Sequence, residues 1–217
     1  LHLAIGALRG AHRRPREVAW WLGILLLLLV LGFAITGYVL RWDQAGYWAN
    51  RVEVGIAAGT PVIGDQIRRL ALGGNDWDNL TLTRFYALHV VVLPALVAAV
   101  AIGHARISRR LRASTGDAPA RWPAQTVRDA LACALVLALL VGWTVAHHGA
   151  DLAAPADPSS AYDARPLWYF RWLFELRHLA GSGEEIAALV APAIVVGFLV
   201  LLPRLDRGTG RVWSTGV

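Results

Sequence analysis

Residues 84–110 read RFYALHVVVLPALVAAVAIGHARISRR, an apolar run that contains two histidines and ends in a cluster of arginines. No Asp, Glu, Lys or Arg occurs between residues 85 and 105. About 20 helical residues cross a bilayer core about 30 Å thick. An isolated span in lipid must be helical, because its backbone has no other hydrogen-bond partners there. The run therefore predicts a transmembrane helix.

Three further stretches are uncharged over a similar length, residues 18–40, 130–150 and 186–203. The chain has 217 residues, of which 56% are hydrophobic and 17% charged, and its mean hydropathy is +0.47. This composition is too apolar for an ordinary soluble domain. The sequence predicts an all-α transmembrane helical bundle with four complete spans.

The arginines predict the orientation of the bundle. All 21 basic residues are Arg, and they cluster between the spans, which favours a membrane protein over a nucleic-acid-binding one. The segments before span one, between spans two and three and after span four hold 13 Arg and 4 acidic residues, whereas the other two loops hold 8 Arg and 11 acidic residues. The positive-inside rule therefore predicts that both ends of the chain are cytoplasmic.

Each of the two outer loops contains an amphipathic segment. In the loop 41–84, the stretch GTPVIGDQIRRLALGG is typical of a short helix closed by Gly73 and Gly74. In the loop 151–185, the aromatic run PLWYFRWLFEL predicts an interfacial helix, because Trp and Tyr favour the headgroup layer.

His89 and His104 are the strongest candidates for chemistry. Fifteen residues separate them, which in an α-helix leaves them within about 60° of one face and ~22 Å apart. Neutral imidazole is an axial ligand of haem iron, although a pair of histidines hydrogen-bonded between helices is the alternative. The only cysteine, Cys133, lies in an apolar run, so any haem is held noncovalently. Pro94 is expected to bend the helix between them.

Gly23 and Gly37 in the first span are fourteen residues apart, close to the histidine interval. Glycine lets a flat macrocycle or a neighbouring backbone approach a helix closely. The two glycines are therefore candidate haem contacts.

A family resemblance rests on these residues and their order. The stretch PREVAWWLGILLLLLVLGFAITGYVLRWDQAGYW followed by TLTRFYALH resembles the third and fourth helices of cytochrome b, and PADPSSAYDARPLWYFRWLFEL resembles the quinol-site loop of that family. The resemblance implies two stacked haems b between the second and fourth helices. His89 would ligate the outer haem and His104 the inner one. Arg84 would meet a haem propionate.

The resemblance also divides the chain. The opening LHLAIGALRG is similar to the end of the second helix, so His2 would be the partner of His104, and the partner of His89 would precede residue 1. Residues 1–110 would form the haem-binding N-terminal-type region, 111–125 a cytoplasmic linker and 126–217 a C-terminal-type region.

The function implied by the resemblance is that of a quinol oxidoreductase subunit, active only within a multi-subunit cytochrome bc complex. Quinol would be oxidised near Tyr38 and the catalytic residues Trp42, Pro166, Trp168 and Tyr169. One electron would pass to a Rieske iron-sulfur protein, and the other through both haems to a quinone near the cytoplasm, coupled to proton translocation. The implied setting is a homodimeric complex with a cytochrome c-type subunit in the inner membrane of a bacterium, in contact with lipid.

Two departures from the family pattern fall in the quinol site. The signature Pro-Glu-Trp-Tyr reads Pro-Leu-Trp-Tyr here, and Leu167 cannot accept the proton that the glutamate is thought to take. Arg41 stands before Trp42 where the family usually has Pro. Asp43, Asp163 or Glu175 would substitute for the glutamate, or the site would take another quinone or no longer oxidise quinol.

Two other classes of protein remain open on the sequence. One is a di-haem membrane anchor of a dehydrogenase or hydrogenase, which would not need the PLWY loop. The other is a haem-free membrane subunit, such as a transporter or a structural protein, in which the histidines would hold nothing.

Overall fold

Helices make up nearly all the regular structure of the described part of the chain. The computed structural model describes residues 2–114, 123–149, 151–163 and 168–206. Its α-helices are α1 (His2–Leu8), α2 (Glu17–Val39), α3 (Gln44–Ala58), α4 (Gly64–Leu72), α5 (Asn79–Ala87), α6 (Leu93–Ser114), α7 (Ala124–Ala146), α8 (Arg171–Ala180) and α9 (Glu184–Leu205). A π-helical turn, Leu88–Val92, joins α5 to α6.

Among the described residues, four helical segments are long and apolar enough to cross a membrane: Glu17–Val39, Asn79–Leu111, Ala124–Ala146 and Ile186–Leu205. They confirm the predicted bundle of four spans. The third begins at Ala124, six residues before the uncharged stretch, because its first turns carry Arg128 and Asp129. The second begins at Asn79, where the Asp78 side chain accepts hydrogen bonds from two backbone amides and caps the helix.

The first outer loop holds two helices where the sequence predicted one. The predicted amphipathic helix is α4, and Gly73 closes it in a left-handed conformation (φ 77°) with its N–H bonded to Arg69 O. The additional helix, α3, begins at Gln44 directly after the first span. In the second outer loop, α8 corresponds to the later part of the predicted interfacial helix, whereas residues 164–167 lie outside the described part of the chain.

The central helix of the bundle is α2, which contacts α3, α5, α6 and α9. Its most extensive contact is with α6, the helix that carries His104. On the side of α9, the indole N–H groups of Trp20 and Trp21 donate to the carbonyls of Leu199 and Val200, at 2.8 and 3.0 Å. By contrast, every described residue of α7 is exposed.

Hydrogen bonds between distant parts of the sequence join the segments at each end of the bundle. At one end, His12 Nε2 lies 2.8 Å from Asp206 Oδ2, and Arg13 donates to both oxygens of the same carboxylate. At the other, the amide of Ala153 donates to Asp43 Oδ2 at 2.9 Å. The segments before the first span and after the fourth, both predicted to be cytoplasmic, therefore meet at one end, and the starts of the two outer loops meet at the opposite end.

The predicted linker 111–125 overlaps both neighbouring spans. Its first residues, 111–114, are the end of α6, and α7 begins at Ala124. Residues 115–122 lie outside the described part of the chain. The division into an N-terminal-type and a C-terminal-type region stays a prediction.

Candidate functional site

Each of the two candidate histidines lies against one of the two candidate glycines. A β-carbon built on Gly37 would be 2.7 Å from Cε1 of His89, and one built on Gly23 would be 3.7 Å from Cε1 of His104. Both imidazoles are partly buried and face α2. The structure thus brings the four residues together as two pairs, one above the other along α2.

The hydrogen bonds of the rings determine which nitrogen carries the proton. His104 Nδ1 lies 2.9 Å from the carbonyl oxygen of Ala19. A carbonyl can only accept, so Nδ1 is the donor. In the neutral ring, Nε2 then carries the lone pair that a metal would bind.

His89 has the same arrangement with a hydroxyl in place of the carbonyl. Its Nδ1 lies 2.9 Å from Thr36 Oγ1, and that hydroxyl donates its own proton to Gly32 O at 2.7 Å. Because the threonine proton is already used, the hydroxyl accepts from Nδ1, and Nε2 again keeps the lone pair. A hydrogen bond of this kind behind a ligating histidine orients the ring and increases its basicity.

A π-helical turn adjusts the spacing of the two histidines. Leu93 N bonds to Leu88 O, five residues back, directly before Pro94. Proline has no N–H for the carbonyl four residues earlier, and its ring pushes that carbonyl aside. A π turn holds one residue more than an α turn, so the fifteen residues from His89 to His104 turn through the same angle as fourteen residues of a regular α-helix. Fourteen residues turn through about 1,400°, which is ~40° short of four full turns. Fourteen is also the separation of Gly23 and Gly37, so the two pairs stay in step.

The residues of the site fit a b-type haem better than a bare metal ion. No group of three or more His, Cys, Asp or Glu that could hold a metal occurs among the described residues. A porphyrin supplies the equatorial ligands itself and requires only axial ligands from the protein. Single imidazoles with free Nε2 lone pairs, each backed by a glycine, meet that requirement.

His2 is the predicted second ligand at the level of His104. It is exposed and opens α1. Its neighbour Leu3 lies 4.0 Å from a β-carbon built on Gly23, the same glycine that His104 contacts. The two histidines are therefore placed near one level of α2, whereas their joint ligation of one iron stays a prediction.

Arg84 lies at the outer end of its helix, in contact with α4. Its Nη1 donates to Leu70 O at 2.7 Å, and its guanidinium lies beside Gly73. Since Gly73 ends α4, this bond satisfies a carbonyl of the last turn. The predicted contact with a propionate stays a prediction.

The outer end of α2 and the second outer loop form the candidate quinol site. Trp42 has a left-handed backbone (φ 46°), and its carbonyl accepts from the amide of Ala156 at 3.3 Å. Gln44 is bonded to the same loop, through its amide to Ala154 O and through its side chain to Ser160 Oγ. The structure thus places Trp42 against the first part of the loop that carries the PLWY signature.

Asp43 holds this junction together. Its carboxylate is buried and accepts from the amides of Gly46 and Ala153 and from the Arg41 guanidinium at 2.6 Å. Burial alone would raise the pKa of Asp43, but these amide hydrogen bonds and the Arg41 charge outweigh it and hold the pKa below its usual value. Asp43 therefore stays ionised, and its hydrogen bonds stabilise the junction between the first span and the second outer loop.

The PLWY signature is only partly described. Pro166 and Leu167 lie outside the described residues. Trp168 is in a 3-10 turn, Trp168–Phe170, with 77% of its surface exposed, and the backbone of Tyr169 follows it in the same turn. The joint action of these residues on quinol stays a prediction.

Two residues of the site were not predicted from the sequence. Thr36 could not be predicted, because a threonine in an apolar span has no distinguishing local pattern. Glu53 was not predicted, because α3 itself was not predicted. In the structure, Glu53 is an acid on α3, the helix that packs against the outer end of α2. One of its oxygens, Oε2, is buried without a hydrogen-bond partner in the described structure.

A membrane helix bundle with two histidine–glycine pairs along one helix has the arrangement expected of an intramembrane haem carrier. Comparison with known families makes this more specific. Residues 1–160 match the family described as cytochrome b (N-terminal)/b6/petB. The chain belongs to this cytochrome b/b6 family.

Several curated relatives carry the name cytochrome b6. Those from Crocosphaera subtropica and Synechococcus elongatus are 42% and 43% identical to this chain over 110 residues, and that from Euglena gracilis is 43% identical over the same length. These alignments cover 51% of this chain and 50% to 51% of each relative. The chain spans about half the length of the curated relatives it matches.

A solved structure titled "Hyperthermophilic respiratory Complex III" contains a similar chain. The TM-score is 0.73 over 94% of this chain and 58% of the other, at 23% sequence identity. At this identity the likeness concerns the fold, and the folds agree over nearly the whole length of the chain.

Proposed function

We propose that the chain is part of the core cytochrome b subunit of a cytochrome bc-type complex, which carries electrons from quinol across the membrane. The observation that carries the proposal is the pair of imidazoles whose Nδ1 atoms are tied to α2, to Thr36 Oγ1 and to Ala19 O, so that both Nε2 atoms can bind iron. Family membership and the cytochrome b6 relatives support it.

His89 and His104 would be axial ligands of two haems b, and His2 a second ligand of the inner one. When bound, the haems supply one-electron transfer between the two sides of the membrane. The chain holds the rings in one tautomer through Thr36 and Ala19 and keeps α2 close through Gly23 and Gly37. Arg84 would neutralise a propionate at the membrane boundary, where a guanidinium pairs well with a carboxylate.

The quinol would be oxidised at the outer end of the bundle. Trp42 and the loop that leads to Pro166, Trp168 and Tyr169 line the proposed site, and Tyr38 is close to it. One electron would leave to a Rieske iron-sulfur protein and the other to a quinone near the cytoplasm by way of the haems. Proton release outside and uptake inside would store energy. A cytochrome c-type subunit and a homodimeric complex complete the proposed assembly.

The proposed location is the inner membrane of a bacterium, with both ends of the chain in the cytoplasm. The distribution of Arg supports this orientation. Two further observations agree with it: His12 and Asp206 lie together at one end of the bundle, and Asp43 and Ala153 at the other.

The test uses His89→Leu in the full-length protein within its complex. We expect reduced-minus-oxidised optical spectra to show two b-type signals in the wild type and the inner one alone in the variant, because only the outer iron loses its imidazole. His147→Leu is the control, since His147 is exposed and stacked on Trp143. It should keep both signals.

Other outcomes would contradict the assignment. A wild-type protein without haem signals would indicate a haem-free membrane subunit. Loss of both haems in His89→Leu, or of neither, would remove the proposed ligand role. A complex with two haems but without a Rieske protein would favour a membrane anchor of a dehydrogenase or hydrogenase.

A further inference from the structure

Glu53 is a partly buried acid that the proposed function does not use. It lies on α3, the helix that starts at the outer end of α2. Its Oε2 is buried and has no hydrogen-bond partner among the described residues. A carboxyl oxygen withdrawn from water without a partner costs free energy. A bound molecule with a hydroxyl group would relieve that cost by donating a hydrogen bond to it.

The surroundings of Glu53 place it at the candidate quinol site. Arg41, Asp43, Tyr162 and, most weakly, Glu53 are within electrostatic range of the phenol of Tyr38. Tyr38 is on α2, and Tyr162 is on the loop that leads to the PLWY signature. Glu53 therefore belongs to the cluster at which α2, α3 and this loop meet.

Burial alone sets the acidity of Glu53. It raises the pKa from an ordinary 4.5 to about 8, and no charged neighbour contributes to the shift. The other charged residues on α3 and on the elements packed against it are Arg51 on α3 itself, Arg41 and Asp43 at its start, Glu17 on α2, Asp65, Arg68 and Arg69 on α4, and Glu184, Glu185 and Arg204 on α9. A base with a pKa near the working pH is the most effective in general acid–base catalysis.

The other acids proposed from the sequence are less suited to accept a proton from a bound molecule. Asp43 is engaged by two amides and Arg41, which keep its pKa low. Asp163 and Glu175 are exposed to solvent. Among these four carboxyl groups, Glu53 alone combines burial with an oxygen that has no hydrogen-bond partner in the described structure.

We propose that Glu53 accepts a proton from quinol at the outer site, in the role for which Leu167 has no proton-accepting group. The inference rests on the proposed function. In this step the O–H bond of the quinol breaks, the proton binds Oε2 of Glu53, and the electron pair stays on the quinol oxygen. Oxidation of the resulting quinol monoanion to quinone releases the second proton to the outer aqueous phase and two electrons, which would leave singly to the acceptors of the proposed function. Glu53 afterwards releases its proton to the outer aqueous phase.

The experiment measures oxidation of a short-chain ubiquinol by the full complex with Glu53→Gln, which keeps the shape and removes the proton acceptor. Loss of a general base lowers the rate about 10²- to 10⁴-fold, so we expect kcat to fall by at least ~100-fold while both haem signals stay. The matched variant Asp65→Asn makes the same carboxyl-to-amide change at an exposed position of the first outer loop. It should keep nearly the wild-type rate.

A pH profile separates a role in proton transfer from a structural one. The acceptor form of Glu53 is the carboxylate, which forms as the pH rises through its pKa of about 8. The wild-type kcat/KM should therefore rise roughly five-fold between pH 7 and 8 and level off above about 9. Glu53→Gln should lack this rise.

Each contrary result has a defined meaning. If the wild type oxidises quinol and Glu53→Gln retains its rate and pH profile, the role of Glu53 is refuted and the proposed function stands. If the wild type oxidises no quinol, the proposed function itself fails. If Glu53→Gln loses its haems, Glu53→Val is measured as a second variant, because it removes the buried polar group altogether. Loss of haem in both variants would show that Glu53 is structural and would overturn the inference.

Discussion

At the scale of single residues, the two histidine sites differ in how tightly they are enclosed. The ring of His89 approaches Gly37 more closely than a side chain at that position would allow, whereas His104 leaves ordinary van der Waals space beside Gly23. The outer site therefore depends on its glycine more strongly than the inner one.

Alanine at each glycine tests this difference. In Gly37→Ala the new methyl group would sit 2.7 Å from Cε1 of His89, so the ring must move, at a cost of about 1–3 kcal/mol for such overpacking. In Gly23→Ala the distance is 3.7 Å, which needs no movement. We expect the outer haem signal to shift or disappear in the first variant and both signals to persist in the second. Equal effects of the two substitutions on the spectra would argue against the pairing.

Thr36 is the second residue on which the outer site depends. In Thr36→Val, the Nδ1–H of His89 loses its acceptor, and the ring loses both its fixed orientation and part of its basicity. We expect a roughly 10- to 100-fold loss of outer-haem affinity and a higher reduction potential of that haem in a redox titration. Thr36→Ser keeps the hydroxyl and serves as the control. If the valine and serine variants titrate alike, the hydroxyl does not support the ligand.

At the scale of elements, the π turn before Pro94 is the feature that aligns the two sites. A regular helix would leave the histidines about 60° apart around the axis, and the extra residue in the turn changes this to about 40° in the opposite sense. The spacing of the histidines on one helix thereby matches that of the glycines on its neighbour.

Single-residue deletions test the role of the turn. Deletion of Val91 removes the extra residue, and the shortened helix can keep both histidines facing α2. Deletion of Ala98, in the regular part of α6, instead turns the two halves of the helix by about 100° relative to each other. Both residues are exposed, so little packing is lost in either case. We expect two haem signals after the first deletion and one after the second, and the reverse order would refute the alignment.

At the scale of the whole molecule, the contacts at the two ends of the bundle agree with the orientation proposed from the arginines. His12 and Arg13 precede the first span and Asp206 follows the last, and they meet in one ion-paired cluster. Four spans return the chain to the side on which it began. These three residues must therefore share one side of the membrane.

Cysteine labelling in a Cys133→Ala background checks which side this is. Asp65→Cys lies on α4 in an outer loop, and Arg110→Cys lies near the cytoplasmic end of α6; both positions are exposed. A membrane-impermeant maleimide should label the first from the outer face of intact spheroplasts, and the second only after permeabilisation. Labelling in the opposite sense would invert the proposed topology and place the Trp42 site on the cytoplasmic side.

Much of the architecture could be predicted from the sequence. The four spans and the closure of α4 by Gly73 are confirmed, because apolar length and a glycine C-cap are local properties of the chain. The helix α3 was missed, although Asp43 caps it and an amphipathic pattern follows. It was not predicted because it begins directly after a span, in a loop for which only one other helix was predicted.

The sequence by itself determined that this protein is a bundle of membrane-spanning helices with two imidazoles about 22 Å apart on one of them, since both properties follow from residue type and spacing along the chain. Only the tertiary structure decided which nitrogen of each ring is free, which glycine each ring meets, and that one carboxyl oxygen of Glu53 is buried without a hydrogen-bond partner among the described residues. Those properties arise from contacts between helices far apart in the sequence, where the environment of a side chain is set by its neighbours in space. A local pattern carries no record of such neighbours.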